Sequence, residues 1–251
     1  KSKYETGSYA DVKGTSFMAG LSKAINNSVL GLFLEYGSGN YDTNNSFGVD
    51  TVKGKGSISY LGGGVLGKVS NADNYYFDFS GRLGQVKTDF NSEDYVFSGV
   101  SAKYNYDVPY YGGHIGAGYI GQKFDNVGLD IYGKYLFTHQ NGKEVSLPNG
   151  ETINFEANNS HRLRFGVKIM RNQKSVFNPY AGAAYDYEFA GEANATVQGL
   201  DVVAPSLKGG TAIGELGLQI NGGYLSADLG AQGYSGKRKG ISGSFKLNYK
   251  F

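Results

Sequence analysis

Ile241-Ser-Gly-Ser-Phe-Lys-Leu-Asn-Tyr-Lys-Phe251 closes the chain. One face of this stretch reads Ile241, Phe245, Leu247, Tyr249 and Phe251. The other reads Ser242, Ser244, Lys246, Asn248 and Lys250. A period of two is the signature of a β-strand with one apolar and one wet face. A strand that ends the chain on an aromatic residue, apolar outside and polar inside, fits a transmembrane β-barrel. A strand of a soluble sandwich alternates in the same way, so the other strands must decide which way the apolar face looks.

Composition narrows the choice. Of 251 residues, 40 are Gly, 4 are Pro, 21 are Tyr and 15 are Phe. Collagen needs a strict glycine period and disordered chains lack aromatics, so neither fits. The mean hydropathy is −0.36, and no apolar run approaches the ~18 residues of a membrane-spanning helix. A barrel wall needs only alternate residues to meet lipid, so low hydropathy is compatible with it. Cysteine is absent, which removes disulfides and thiolate metal sites. The net charge of +2 gives no ground for nucleic acid as a partner. Lys1-Ser-Lys-Tyr opens directly into polar sequence with no signal peptide, and we expect the chain to be the C-terminal part of a longer precursor.

Eleven alternating segments follow: about 15–25, 28–40, 56–70, 75–90, 109–123, 127–139, 159–171, 177–190, 208–220, 224–235 and 240–251. Residues 1–8 read as the top of a further strand whose beginning is cut off, which makes twelve. The gaps alternate in length. Asn26-Asn27, 71–74, 124–126, 172–175 and 221–223 are short and rich in residues that tolerate positive φ. The gaps 41–55, 91–108, 140–158 and 191–207 are long and polar, with a shorter basic turn at 237–239 and another at Thr6 to Gly14. In an antiparallel meander this places all long loops at one end, the arrangement of outer-membrane barrels with short periplasmic turns and long external loops. We therefore expect an all-β, twelve-stranded antiparallel transmembrane barrel that forms one domain over 1–251.

The polar parity is charged as well as glycine-rich. It carries the acids Glu35, Asp78, Asp130, Asp186, Glu188, Glu215 and Asp228 and the bases Arg82, Lys134, Arg162, Arg164, Lys168 and Lys246. Twelve strands leave a lumen wide enough for water, and these residues are expected to line it, acids paired with bases. A solvated face of an open sheet is the alternative. Tyr36, Tyr75, Tyr135, Tyr187 and Tyr249 near strand ends suit aromatic girdles at the membrane surfaces.

Catalytic chemistry has little support. His114 falls on the polar parity, and His139 and His161 fall on the outward one, flanking one loop. No G-x-S-x-G elbow and no metal-binding histidine motif is present. The Gly64-Val-Leu-Gly-Lys68 stretch has the wrong spacing for a phosphate loop. We expect no enzyme, no metal and no cofactor.

Asn178-Pro-Tyr-Ala-Gly-Ala-Ala-Tyr-Asp-Tyr-Glu-Phe-Ala-Gly and Ala204-Pro-Ser-Leu-Lys-Gly-Gly-Thr-Ala-Ile-Gly-Glu-Leu-Gly-Leu resemble the autotransporter β-domain, as do Leu129-Asp-Ile-Tyr-Gly-Lys-Tyr and Ser160-His-Arg-Leu-Arg-Phe-Gly. The resemblance runs over nearly the whole chain. It implies a translocator of type V secretion in the bacterial outer membrane, which exports or displays an N-terminal passenger. It further implies a linker helix in the pore and the barrel assembly machinery and outer-membrane lipid as partners. Tyr249 and Phe251 would then belong to the terminal assembly signal. Some members of the family cleave the passenger inside the barrel with a linker Asn and lumen acids, and Asp78, Glu35 or Glu215 could serve. The other readings are a free-standing outer-membrane pore, a barrel whose external loops adhere to something, and an outer-membrane hydrolase.

Overall fold

Alternation of apolar and polar residues commits each segment to a strand, and Asn and Gly at the breaks commit consecutive strands to hairpins. A computed structural model of the protein describes residues 2–3, 9–47, 50–97, 100–124, 127–148, 150–171, 175–202 and 206–250. The strands are β1 (Ser2–Lys3), β2 (Tyr9–Ile25), β3 (Ser28–Phe47), β4 (Asp50–Ser70), β5 (Tyr75–Phe97), β6 (Val100–Phe124), β7 (Val127–Gln140), β8 (Lys143–Ser146), β9 (Thr152–Phe155), β10 (Asn158–Arg171), β11 (Phe177–Glu188), β12 (Ala195–Val197), β13 (Leu200–Val202), β14 (Gly209–Gly222), β15 (Leu225–Gly236) and β16 (Gly240–Tyr249). Twelve of them form one antiparallel sheet in the order β1-β2-β3-β4-β5-β6-β7-β10-β11-β14-β15-β16. This is the all-β antiparallel meander that the alternation predicts, curled into a half-barrel. Of the expected first strand, Ser2 and Lys3 pair with Ala10 and Tyr9, and residues 4–8 lie outside the described residues.

The short turns have the local chemistry expected of them. Asn26 and Asn74 sit at φ 52° and 66°, and Gly223 at 40°. The Asn71 side-chain oxygen accepts hydrogen bonds from the backbone N–H of Asp73 and of Tyr75, at 3.0 and 2.9 Å. The expected turns at 124–126 and 172–175 lie largely outside the described residues.

The long connections are built differently from the irregular loops that their composition suggests. Residues 41–47 and 50–55 continue β3 and β4, paired from Tyr41↔Gly56 to Phe47↔Asp50. Residues 91–97 and 100–108 continue β5 and β6, paired out to Phe97↔Val100 with a register shift between Ser92 and Val96. Tyr9–Gly14, expected as a turn, likewise belongs to β2. The polar residues of these extensions still alternate. Ser57 donates to Asp89 at 3.0 Å, while Tyr41, Phe90, Tyr104 and Tyr106 stack along the opposite face, with ring centroids 5.0–6.5 Å apart. The other two connections, 140–158 and 191–207, supply β8, β9, β12 and β13, which form a separate four-stranded sheet in the order β13-β12-β9-β8.

One face of the large sheet is apolar and exposed. On β3 it carries Leu30, Leu32, Leu34 and Tyr36, on β4 Val69, Val65 and Leu61, on β5 Tyr75, Phe77 and Leu83, and on β6 Tyr119, Ile115 and Tyr111. Leu21, Leu34 and Leu83 are 72%, 69% and 70% exposed. The apolar run ends within one outward position on four consecutive strands: the next outward residues are Ser38 opposite Ser59 and, one step lower, Gln85 opposite Pro109, followed by Asn40 opposite Ser57 and Lys87 opposite Asp107. From Val69 to Leu61 is about 26 Å along the strand at the usual rise, close to the ~25 Å apolar band of outer-membrane barrels.

The other face is the concave one. Tyr110 of β6 hydrogen-bonds Glu35 of β3 at 2.6 Å. Those strands are three apart in the sheet, about 14 Å on a flat surface, so the sheet curls toward this face to bring them together. Among the described residues no pairing joins β16 to β1 or β2.

Candidate functional site

The inner face of the curled sheet gathers the charged residues of the polar parity. The repeating device is a tyrosine laid across a glycine to reach an acid on a farther strand. Tyr76 is opposite Gly118, Gly118 is opposite Tyr132, and the Tyr76 hydroxyl donates to Asp130 at 3.0 Å. Tyr180 is opposite Gly217, and its hydroxyl donates to Asp228 on β15 at 3.0 Å. Tyr110 crosses both Gly84 and Gly62 to reach Glu35. A Cβ at Gly118, Gly217 or Gly62 would run into the tyrosine that crosses it. This accounts for glycine and tyrosine being abundant together.

The ion pairs lie between these braces. Arg82 reaches the second oxygen of Glu35 at 3.3 Å, and the Glu35 side chain is 3% exposed. Asp78 pairs with Lys134 and lies 3.0 Å from His114 Nε2, while His114 Nδ1 lies 2.6 Å from Ser80 Oγ. Arg164 grips Asp186 with Nε and Nη2 at 2.6 and 2.9 Å. Arg162 lies 3.8 Å from Asp186 and 3.7 Å from Glu188, and Arg238 approaches Glu188 at 3.6 Å. Glu188 also accepts from Ser160 Oγ at 2.6 Å and from the His161 backbone N–H at 2.8 Å. Lys168 pairs with Glu215 at 3.0 Å, and Gln232 donates to the same carboxylate at 3.1 Å. Lys246 is opposite Asp228 in register and exposed.

The grouping differs in detail from simple acid–base pairing. Asp130 and Asp228 are held first by tyrosine hydroxyls, with Gln219 donating to Asp228 at 3.1 Å. Lys68 sits over the Tyr76 ring at 3.9 Å. The braces Tyr76, Tyr110 and Tyr180, together with Arg238 and Lys68, were not singled out by sequence. The signal that could have found them is register: a tyrosine opposite a glycine, with an acid on a strand beyond, either at the same level, as for Tyr110, or two residues from it, as for Tyr76 and Tyr180.

The histidines of the outward parity sit among aromatic rings. His139 contacts Asn159 and Asn141 through its two ring nitrogens at 2.7 and 3.0 Å, and His161 contacts the Tyr135 hydroxyl at 2.6 Å. Tyr111 packs on His139 and Phe137 on His161. These partners offer neither ring a nucleophile together with an acid. Ser80, His114 and Asp78 do line up in a chain, but Lys134 shares the acid, and the main-chain amides of β5 and β6 are spent in their ladders. The main chain there therefore offers no pair of free amides of the kind that forms an oxyanion hole. Among the described residues no cluster of His, Cys, Asp or Glu could hold a metal ion. Tyr249 is exposed on the outer side of β16, and Phe251 lies outside the described residues.

No curated protein sequence matches the chain. Solved structures that share its fold include three autotransporter domains. The transport unit of the autotransporter AIDA-I from Escherichia coli aligns over 100% of this chain and 86% of its own, with a TM-score of 0.81 at 14% identity. The translocator domain of the autotransporter NalP from Neisseria meningitidis aligns over 100% and 84%, with a TM-score of 0.77 at 12% identity. The β-domain of the Bordetella autotransporter BrkA aligns over 100% and 95%, with a TM-score of 0.68 at 16% identity. The model of the autotransporter β-domain family, whose members are transport barrels of the outer membrane, matches residues 2–245. The chain therefore belongs to the autotransporter β-domain family and is the translocator domain of an autotransporter.

Proposed function

We propose that this domain sits in the bacterial outer membrane as a single closed barrel over 1–251 and carries an attached N-terminal passenger to the cell surface. The observation that carries this reading is the outward apolar band, which ends within one outward position on four consecutive strands and is backed by a paired polar face. Lipid meets the band. The lumen is lined by Glu35, Asp78, Arg82, Asp130, Lys134, Arg162, Arg164, Lys168, Asp186, Glu188, Glu215, Asp228 and Lys246, and a helix linking passenger to barrel lies along it. The barrel assembly machinery reads the last strand through Tyr249 and Phe251. The domain acts by passage and anchoring, without a catalytic step, a cofactor or a nucleic-acid partner.

The test is surface display. The full-length protein is produced in cells, and external protease is added. The translocator reading expects the passenger to be cut on intact cells and protected when the β-domain is replaced by an unrelated outer-membrane barrel. A passenger displayed equally well by the unrelated barrel would overturn it. The polar extensions of β3–β6 favour a second reading, adhesion by the external wall. Shortening both hairpins to the level of Ser59 and Gln85 would abolish cell attachment on that reading and leave display intact on the first.

A further inference from the structure

Beyond the level of Tyr110, the inner face of β6 presents Val108, Tyr106, Tyr104 and Ala102. If the mouth of the half-barrel were open, these side chains would face water. Instead Val108 is 2% exposed and Ala102 7%. Within the sheet β6 touches β5 and β7, which lie beside it and cannot cover its face. Side chains of β3 and β4 reach its inner face lower down, at Tyr110; besides β5 and β7, the strand whose backbone comes close to β6 is β8. On the small sheet, Val145 of β8 and the adjoining Leu147 are buried to a matching degree, 7% and 5% exposed. The ring of Phe155, at the end of β9, lies 5.4 Å from Tyr104 and 5.3 Å from Tyr106. Burial pushes the hydroxyls of Tyr104 and Tyr106 above their ordinary pKa.

We propose that β8, β9, β12 and β13 form a lid, folded inward over the mouth opposite the short turns and latched by Phe155 against Tyr104 and Tyr106. The sheet is made from two connections of the wall, joined by β9–β12 pairing with Phe155 opposite Ala195 and by a 3.0 Å bond from the Glu156 N–H to the Asn194 carbonyl. The two connections therefore move as one body. The stems of the second connection carry Gly191 at φ 81° and Gly209 at φ 116°, a backbone region that favours glycine and suits a bend. Above the Asn141 N–H to Pro109 carbonyl bond at the root of the first connection, the contact across to β6 is aromatic and aliphatic, so it can open and reclose without breaking a ladder. A polypeptide leaving the lumen must displace this lid, so the closed contact is the resting state of the external mouth.

Thiol labelling tests the lid, since the domain has no cysteine of its own. Full-length protein with Val108→Cys, or with Asn105→Cys on the exposed face of the same strand, and no other cysteine, is treated on intact cells with a bulky maleimide that does not cross membranes. Val108→Cys should react at least ~10-fold more slowly than Asn105→Cys, because labelling waits for local opening. Adding Phe155→Ser should bring the two rates to within about threefold of each other, for the same reason. Equal rates in the parent, or continued protection in the Phe155→Ser protein, would overturn the lid. A second measurement uses Tyr106→Cys with Phe155→Cys and dibromobimane, which fluoresces when it bridges two neighbouring thiols. Bridging supports the latch, and single labelling at both thiols without a bridge overturns it. Unheated gel mobility shows whether each variant has folded. Neither readout depends on export, so loss of display with an intact latch would count against translocation and leave the lid standing.

Discussion

Arginine placed at three depths on the outer side of β4 separates a membrane wall from a wet sheet. Val65 is at the centre of the apolar run, Leu61 at its upper end, and Ser57 two outward positions above it. All three share one strand and one face. In water, an arginine on an exposed strand position changes stability by about 0.5 kcal/mol or less. At a bilayer midplane it costs about 2–4 kcal/mol, falling to about 0–1 near the interface. Val65→Arg should therefore destabilise by about 3 kcal/mol, more than a hundredfold in the folding equilibrium. Leu61→Arg should cost about 1 kcal/mol. Ser57→Arg should be within about 0.5 kcal/mol of the parent, since the new guanidinium falls beside Asp89, which Ser57 now contacts at 3.0 Å. The assay is urea titration of folding into lipid vesicles, followed by unheated gel mobility because the domain contains no tryptophan. A Val65→Arg cost no larger than that of Ser57→Arg would refute the assignment of the apolar face to lipid.

Further outcomes can be checked by the same titration or in cells. Asp186→Ala strands Arg164 and Arg162 without their shared carboxylate, which is 2% exposed, and should cost about 3–5 kcal/mol; Asp186→Leu with Arg164→Met should recover most of it. Gly118→Val meets the Tyr76 ring, whereas a Cβ at Gly233 meets nothing within 4 Å. The first should cost about 1–3 kcal/mol by overpacking and the second should be close to neutral in the same titration. Deleting Phe251 should reduce assembly in cells well below its effect on refolding in detergent, and equal losses in the two assays would contradict a recognition role for the terminus.

Where sequence was read well, two signals agreed. In 177–190, apolar alternation and Asn-rich breaks both pointed to a strand, and β11 runs Phe177–Glu188. Where it was read short, they conflicted. Residues 91–108 are rich in Asn, Asp and Ser, which in isolation signal a loop. Above the apolar band, however, an outward polar residue is what a strand in water requires, and the inward Phe90, Tyr104 and Tyr106 kept the period. The small sheet was missed for another reason: β12 and β13 have three residues each, too few for periodicity to register. The charges of the inner face were legible from parity alone. Their partners were not, because Glu35 and Tyr110 are 75 residues apart, and only the register of the intervening strands brings them to one level.

The tyrosine braces explain how the inner face carries so many carboxylates close together. A carboxylate whose hydrogen bonds are left unfilled in a half-buried wall is costly, and cations alone would have to reach each one from an adjacent strand. A tyrosine crossing a glycine supplies a donor from two or three strands away and ties those strands together at a fixed spacing. It therefore satisfies the acid and holds the curl at once. Removing the hydroxyl while keeping the ring isolates the first role. Tyr180→Phe leaves Asp228 with Gln219 and should cost about 1.5–3 kcal/mol, the value of a hydrogen bond to a charged group. Tyr76→Phe and Tyr180→Phe share no partner, since one serves Asp130 and the other Asp228, so their costs in vesicle unfolding should add to within about 0.5 kcal/mol. If the braces instead act only as ring packing over Gly118 and Gly217, each phenylalanine variant will unfold at the parent's urea midpoint, and the hydroxyl-to-acid bond will have no part in holding the wall.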